Sequence, residues 1–211
     1  MKNLNHDHVI EQVPPDYYQK GVKENLLQKF WHSNKLKEVK MKITSAPENM
    51  LDVGCASGWL LHQLSKEFPR TKCYGIDIYK KAIDYGKGIY PSIKFKASDA
   101  HKIPYENNTF DLVICTEVLE HTEDPKMVLF EIKRVLKNTG IAIIEIDSGS
   151  WLFSVAWFLW RKINGRVWND SHLHSFNLKK LDKALKACGY RVISKNKFNF
   201  GMAMIFTICK E

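Results

Sequence analysis

The stretch MLDVGCASGWLL, residues 50–61, decides how this chain can fold. An apolar run that carries a lone acid, Asp52, breaks into a turn with glycines at positions 54 and 58 and then becomes apolar again. Glycine adopts a positive φ without strain and lets a ligand approach the backbone closely. A helix that begins near Gly58 would also offer its free N–H groups to an anionic ligand group. The pattern predicts a strand, a ligand-binding turn and a helix.

The spacing of these glycines separates the turn from two other ligand loops. It is Gly-x-x-x-Gly, whereas dinucleotide-binding proteins use Gly-x-Gly-x-x-Gly and the Walker loop carries a lysine. The spacing therefore disfavours an NAD-linked oxidoreductase. On the glycines alone, a tight turn without a ligand is the alternative to a binding site.

Short apolar runs alternate with amphipathic segments of helix length after residue 49. The strand candidates are residues 50–53, 73–76, 93–96, 112–116 and 141–146. Helical patterns fall near residues 58–67, 79–88 and 125–137, and a further helix fits 178–188. This alternation is typical of a parallel α/β sheet with helices on both faces. Two strand-like segments around the short loop NFG, residues 199–201, predict a terminal antiparallel hairpin.

Two further acids follow the next two strands of the predicted sheet. Asp77 ends the second strand, 19 residues after Gly58, and Asp99 follows the third. In an open parallel sheet, ligands bind beyond the carboxyl ends of the strands, where an acid can accept hydrogen bonds from both hydroxyls of a ribose. Three acids at neighbouring strand ends therefore predict one ligand-binding crevice.

Composition limits the classes of protein that fit. The chain has 211 residues, 45% of them hydrophobic, which suits one domain with a sizeable core. The net charge of +9 favours acidic partners in general, but the lysines are spread along the chain and also fit a solvated basic surface. The N-terminus has no apolar segment of a secretory signal, so we expect a cytoplasmic protein. The five cysteines are expected to be buried thiols: Cys55, Cys73, Cys115, Cys188 and Cys209.

Four segments in order resemble the motifs of class I S-adenosylmethionine-dependent methyltransferases. They are LDVGCASG, YGIDIY, ASDAHKIPYENNTFDLVICTEVLEH and EIKRVLKNTGIAIIEI, within residues 49–147. The resemblance continues more weakly through 172–210, and it is strongest to the branch that contains ubiquinone- and menaquinone-biosynthesis methyltransferases. It implies a Rossmann-like seven-stranded sheet, mostly parallel, with an antiparallel last strand. It also implies S-adenosylmethionine as cofactor and a small-molecule or lipid-like acceptor.

The resemblance also implies where the cofactor would lie. The methionine part would lie over residues 52–58, the ribose on Asp77 with the adenine beside Ile78, and the adenine amine on Asp99. Ala56 departs from the family, because the commonest version of the motif has glycine there. The expected cofactor-binding residues are Asp52, Gly54, Cys55, Ala56, Gly58, Asp77, Ile78, Asp99, Ala100 and Thr116, with Tyr17 and Tyr18 as further candidates.

The two tyrosines belong to an N-terminal segment, residues 1–48, that we expect to form a loose arm and a helical lid over the cofactor. Its apolar spacing predicts two helices between Tyr17 and Lys42, with a break at residues 33–34. Residues 49–211 are expected to form the methyltransferase domain.

A hydroxyl acceptor would need a base within hydrogen-bond reach. The candidates after the fourth strand are Glu117 and His121, and a second source is His174 in the segment NDSHLHSF, where His172 alternates with it. These positions also fit pocket lining or structural support. A metal site with His121 lacks a third ligand fixed by the sequence, so no metal is predicted.

An aromatic insertion, at about residues 148–176, interrupts the small core fold. Between Trp151 and Trp168 it combines tryptophans with the cations Arg161, Lys162 and Arg166. Such a segment fits a cap packed over the acceptor pocket, and it equally fits peripheral contact with an anionic membrane surface.

Two other functions compete with small-molecule methylation. A nucleic-acid methyltransferase would suit the positive charge, but base-modifying members of this class usually carry Asn/Asp-Pro-Pro-Tyr/Phe after the fourth strand, where this chain has TEVLEH. A nucleic-acid substrate is therefore disfavoured. A non-catalytic cofactor-binding protein of the same fold is the other alternative, and the intact acids argue against it.

Overall fold

The computed structural model describes residues 13–155, 158 and 172–211. In this part of the chain, seven strands form one sheet in the order β3-β2-β1-β4-β5-β7-β6. Strands β1 to β5 pair in parallel, and β7 pairs antiparallel with both β5 and β6. The predicted mostly parallel sheet with a reversed last strand is confirmed.

The strands are β1 (Asn49–Val53), β2 (Lys72–Asp77), β3 (Lys94–Ala97), β4 (Phe110–Thr116), β5 (Leu136–Asp147), β6 (Tyr190–Phe198) and β7 (Ala203–Lys210). The helices are α1 (Tyr17–Glu24), α2 (Leu26–Lys42), α3 (Trp59–Glu67), α4 (Lys80–Ile89), α5 (Pro125–Val135) and α6 (Leu178–Ala187). Helix α5 runs directly into β5, so this strand starts earlier than its apolar run indicated. None of the helices in the described residues combines the length and apolar character that crossing a bilayer requires.

Helices cover both faces of the sheet, because side chains of each strand alternate between two cores. Leu51 and Val53 of β1 belong to the core that contains buried residues of α5 and α6. Met50 belongs to the opposite core, with residues from α2, α3 and α4, including Val39. Helix α2 is therefore part of the same packed body as the sheet. All five cysteines are free and buried, as expected.

The predicted break at residues 33–34 is wrong. The break between α1 and α2 falls at Asn25, whose side-chain oxygen accepts hydrogen bonds from the backbone N–H groups of Leu27 and Gln28. Asparagine is a strong N-cap because its side chain satisfies N–H groups that the first helical turn leaves unpaired. Residues 33 and 34 lie inside α2, where tertiary packing outweighs their moderate helix propensity.

The terminal hairpin reverses the last strand, as the short connection requires. Its turn, residues 199–201, packs on α2 through a hydrogen bond of 2.8 Å from Asn34 to the side chain of Asn199. Phe200 at the tip has a φ of 56° and is 79% exposed.

Candidate cofactor and acceptor site

The turn after β1 has the left-handed backbone that its glycines predict. Gly54 has a φ of 76° and Gly58, at the start of α3, a φ of 82°. A Cβ added to Gly54 would lie 2.1 Å from a methyl group of Val118, and one added to Gly58 would lie 2.4 Å from the ring of Phe95. The turn therefore needs glycine at both positions for conformation and for space.

Ala56 also has a left-handed conformation, with a φ of 47°. An alanine there adopts a backbone conformation that glycine adopts more readily. This strain gives a physical reason why glycine is commonest at this position in the motif that the sequence resembles.

Asp77 ties the end of β2 to the turn after β1. Its carboxylate accepts hydrogen bonds from the backbone N–H of Ala56 at 2.7 Å and from that of Tyr79 at 2.8 Å. Burial raises the pKa of the Asp77 carboxyl, and these two hydrogen bonds oppose that increase. The predicted ribose-binding acid thus lies beside the glycine turn.

Asp52 is buried in the middle of the sheet, where its backbone lies opposite Gly75 of β2 and Ile114 of β4. Burial and the nearby charge of Asp77 raise the pKa of Asp52 to about 8. Its Oδ1 atom has no hydrogen-bond partner among the described residues. An unpartnered buried oxygen beside the turn can accept a hydrogen bond from a ligand or a water molecule.

Asp99 lies in the loop that follows β3. This strand pairs with β2, and its last residue, Ala97, lies opposite Asp77. Its exposed carboxylate accepts a hydrogen bond from the backbone N–H of His101 and lies 2.7 Å from the ring of the same residue. Ile78 is 54% exposed, so its side chain is accessible to a flat ligand group. Of the other three expected contacts, Cys55 is buried, and Ala100 and Thr116 are half-buried.

The two N-terminal helices contact residues of the glycine turn and of the strand ends. Ser57, inside the glycine turn, donates a hydrogen bond of 3.0 Å to Gln19 of α1. Half-buried Tyr18 packs edge-on against His32, and Tyr17 accepts a hydrogen bond from Gln28. Burial and the charge of Glu117 raise the pKa of Tyr18, so its hydroxyl stays protonated.

A lysine of α2 holds two carboxylates at the ends of β4 and β5. Lys35 is 4% exposed, and its Nζ lies 2.7 Å from Oε1 of Glu117 and 3.6 Å from Oε2 of Glu145. Trp31, one helical turn earlier, donates a hydrogen bond of 2.8 Å to the same oxygen of Glu117. Glu117 has a φ of 54°, a strained conformation that often marks functional sites.

These contacts give Glu117 and Glu145 different pKa values. Burial alone would raise the pKa of Glu117, but the charge of Lys35 outweighs it and lowers the pKa to about 2. Burial raises the pKa of Glu145 to about 8, although Lys35 partly opposes it. Glu117 is therefore a paired anion rather than a free base.

The other two base candidates, His121 and His174, have different surroundings. His121 lies in the single turn of 3₁₀ helix that follows β4, and its ring centre is 4.7 Å from that of His172. His172 also lies 3.7 Å from a carboxylate oxygen of Asp147 at the end of β5. His174 instead contacts the carbonyl oxygen of Glu123 and the ring of Phe176. Of the two alternating histidines, the structure brings His172 to His121.

Sequence analysis did not single out Lys35 or Glu145. Each nevertheless has a sequence feature that marks a buried charge. Glu145 is a lone acid inside the apolar run IAIIEI, as Asp52 is in its own strand. Lys35 lies four residues from both Trp31 and Val39, on an apolar stripe of α2. A charge in such a position is expected to have a buried partner.

Part of the aromatic insertion lies outside the described residues. This applies to Trp157, Trp160 and Trp168 and to the cations Arg161, Lys162 and Arg166. Of the described part, residues 151–155 are helical and Trp151 is 77% exposed. Phe153 packs against Trp31 of α2, with ring centres 6.4 Å apart.

Comparison with known proteins identifies the family. A family model described as a methyltransferase domain matches residues 44–198. The malonyl-[acyl-carrier protein] O-methyltransferase of Hahella chejuensis is 26% identical over 156 residues, which are 72% of this chain and 54% of that protein. The demethylmenaquinone methyltransferase of Lactobacillus johnsonii is 32% identical over 152 residues, 66% of this chain and 59% of that protein. The chain thus matches little more than half the length of these relatives.

A solved structure described as an S-adenosylmethionine-dependent methyltransferase from Thermotoga maritima has the same fold. It aligns with a TM-score of 0.74 at 16% identity and covers 97% of this chain and 99% of that chain. Likeness at this identity concerns the fold, whereas the family model covers most of the chain, including the glycine turn and the acids after β2 and β3. On that match, this chain belongs to the class I S-adenosylmethionine-dependent methyltransferases.

Proposed function

We propose that this protein transfers the methyl group of S-adenosylmethionine to a small-molecule or lipid-like acceptor. The observation that carries the proposal is the adjacency of two sites. Acids and left-handed glycines lie together at the ends of β1 and β2, and the histidines His121 and His172 meet beyond the ends of the neighbouring strands β4 and β5.

The residues of the crevice suit this cofactor. Its sulfonium and ammonium groups are positive, and a cation beside Asp52 and Asp77 would favour the ionised form of these buried acids, whose negative charge would then balance it. Asp52 also offers an unpartnered oxygen, and Ile78 offers an exposed apolar surface for the adenine. We assign the ribose to Asp77 and the adenine amine to Asp99.

When bound, S-adenosylmethionine supplies a methyl carbon that its sulfonium already activates. The protein must therefore align the acceptor with that carbon and exclude water. We propose that α1 and α2 act as the lid that excludes water. The hydrogen bond between Gln19 and Ser57 and the ion pair between Lys35 and Glu117 support this role, because both join the lid to the strand ends.

We assign acceptor activation to the histidine pair, His121 and His172, rather than to Glu117. The carboxylate of Glu117 already pairs with Lys35 and Trp31, so its proposed role is to hold the lid. His174 would line the entrance to the pocket, on the carbonyl of Glu123.

The direct test has two steps. Calorimetry should detect binding of S-adenosylmethionine and none of NAD, and release of S-adenosylhomocysteine should then be followed with candidate acceptors. The names of the relatives suggest the panel: a demethylmenaquinol, a malonyl-acyl carrier protein and, as the competing class, RNA. His121→Gln should lower kcat at least tenfold and leave the Kd for S-adenosylmethionine unchanged. Preference for NAD, or turnover with RNA alone, would contradict the proposal.

We also propose peripheral contact with an anionic membrane through residues 151–168. The exposed Trp151 and Phe158 support it, as does the basic charge of the segment. Trp151→Ser combined with Phe158→Ser should reduce pelleting with vesicles of phosphatidylglycerol and phosphatidylcholine. Phe130→Ser, which removes an equally exposed aromatic from α5, is the matched control and should not. If the unmutated protein does not pellet, the segment is a cap alone.

A further inference from the structure

Three side chains beyond the ends of β4 and β5 have the spacing of metal ligands. Glu120, His121 and His172 each offer one ligand atom, and these three atoms lie within 4.8 Å of one another. Two imidazoles and one carboxylate are a frequent donor set for divalent transition metals, Zn²⁺ among them.

The backbone fixes this arrangement. The carbonyl oxygen of Glu120 accepts hydrogen bonds from the N–H groups of Leu173 at 2.8 Å and His174 at 3.1 Å. These bonds anchor the segment that carries His172 to the turn that carries Glu120 and His121. His121 and His172, 51 positions apart in the sequence, are therefore held together before any ligand binds.

An independent observation comes from the carboxylate of Glu120. This residue is 2% exposed, and its Oε2 atom has no hydrogen-bond partner among the described residues. Leaving a buried carboxylate oxygen unpaired is costly, and a cation beside it would remove that cost. The third ligand that the sequence could not fix is thus present as a buried, unsatisfied acid.

We propose that Glu120, His121 and His172 bind a divalent transition-metal ion, with Zn²⁺ as the best match to this donor set. Three protein ligands leave at least one coordination position open, as in catalytic zinc sites. Asp147, 3.7 Å from Nε2 of His172, is the carboxylate that orients this imidazole in the outer shell.

The proposed metal site extends the proposed methyl transfer and rests on it for its role: His121 and His172 would activate the acceptor as metal ligands rather than as proton-accepting bases. A hydroxyl of the acceptor that occupies the open position would have a lower pKa and would release its proton to solvent before methylation. Metal binding itself does not depend on that role, so the two proposals can fail separately.

The test uses the full chain after treatment with a chelator. Calorimetric titration with Zn²⁺ should give one equivalent, and Co²⁺ should give the visible absorption of a bound, low-symmetry ion. His172→Ala and Glu120→Gln should each weaken Zn²⁺ binding at least tenfold. His174→Ala removes a histidine two residues away and should change the Zn²⁺ affinity less than twofold.

Two controls make the result decisive. Each variant should keep the thermal unfolding temperature of the parent to within a few degrees and bind S-adenosylmethionine with the same Kd, which excludes loss of fold as the cause. The absence of stoichiometric Zn²⁺ binding, or equal weakening by His174→Ala, would overturn the metal site. If Zn²⁺ does not bind while S-adenosylmethionine still binds and methyl transfer proceeds with a chelator present, the metal site fails and the proposed function stands.

Discussion

The proposed cofactor side and the proposed acceptor side of this protein are built differently. The cofactor side, at the ends of β1 to β3, is held mainly by backbone geometry and short-range links: Gly54 and Gly58 in left-handed conformations and Asp77 bonded to the N–H of Ala56. The acceptor side, at the ends of β4 and β5, joins side chains from distant parts of the chain, such as Trp31 and Lys35 with Glu117.

This difference separates features that a whole family can share from features that are specific to one protein. A turn made by glycines and one acid suits a cofactor that every member of a family shares. Buried charge pairs between α2 and the strand ends can differ from protein to protein, and they are where specificity for an acceptor would arise. The five predictions below test this contrast, from the largest expected effect to the smallest.

The acceptor side should depend most on Lys35. Lys35→Met removes the cation beside Glu117 and leaves this ionised carboxylate without compensation, which we expect to lower the free energy of unfolding by about 3–5 kcal/mol at pH 7. Chemical denaturation measures the loss. Lys37→Met, an exposed neighbour on α2, should have almost no effect. Equal losses in the two variants would show that the ion pair does not hold the lid.

The cofactor side should depend most on Gly54. Gly54→Ala forces a side chain into a left-handed conformation and against Val118, so we expect a loss of about 2–4 kcal/mol in stability and of detectable S-adenosylmethionine binding. The control is Gly88→Ala in α4, where an added Cβ meets no atom within 4 Å. It should stabilise the protein by about 0.5–1 kcal/mol. A neutral Gly54→Ala would contradict the tight turn.

Removing the proposed ribose contact should affect affinity more than stability. Asp77→Ala should weaken S-adenosylmethionine binding by about 1.5–3 kcal/mol, because it removes a charged acceptor from two hydroxyls. Calorimetry measures the dissociation constant. Asp84→Ala, an exposed acid on α4, is the control. An unchanged Kd for Asp77→Ala would move the ribose elsewhere.

Asp52 makes the stability of the cofactor side depend on pH. Its folded-state pKa of about 8 lies above its ordinary value, so the folded protein binds an extra proton at intermediate pH and loses stability as the pH rises towards 8. Asp52→Asn cannot ionise and should raise the free energy of unfolding by about 1–2 kcal/mol at pH 8.5, with less gain at pH 5. Denaturation at the two values checks this. A gain that is independent of pH would exclude titration of Asp52 as its cause.

The smallest expected effect concerns the strained alanine of the turn. Ala56→Gly should relieve the left-handed strain and raise the free energy of unfolding by about 0.5–1 kcal/mol, after allowance for the greater chain entropy of glycine in the unfolded state. Thermal unfolding without ligand measures it. A lower stability would mean that the methyl group of Ala56 contributes packing that outweighs the strain.

The features that could be predicted from the sequence belong mainly to the sheet and to the cofactor side. Alternation of apolar runs was enough to predict the sheet and its reversed last strand, and the glycine turn was predicted with its conformation. The break between α1 and α2 was misplaced, because the cap at Asn25 is decided by one side chain rather than by periodicity. The partners of Glu117 and His121 could not be predicted, since Lys35 and His172 lie 82 and 51 residues away from them.

By itself, the sequence indicated the alternation of strands and helices, the terminal hairpin, the family and the cofactor turn, because these depend on local apolar spacing and on short motifs whose residues are close together in the chain. Only the tertiary structure decided that Lys35 of α2 pairs with Glu117 and that Glu120, His121 and His172 converge. The packing of segments that are distant in the chain decides which side chains meet, and the spacing of residues along the sequence does not encode these contacts.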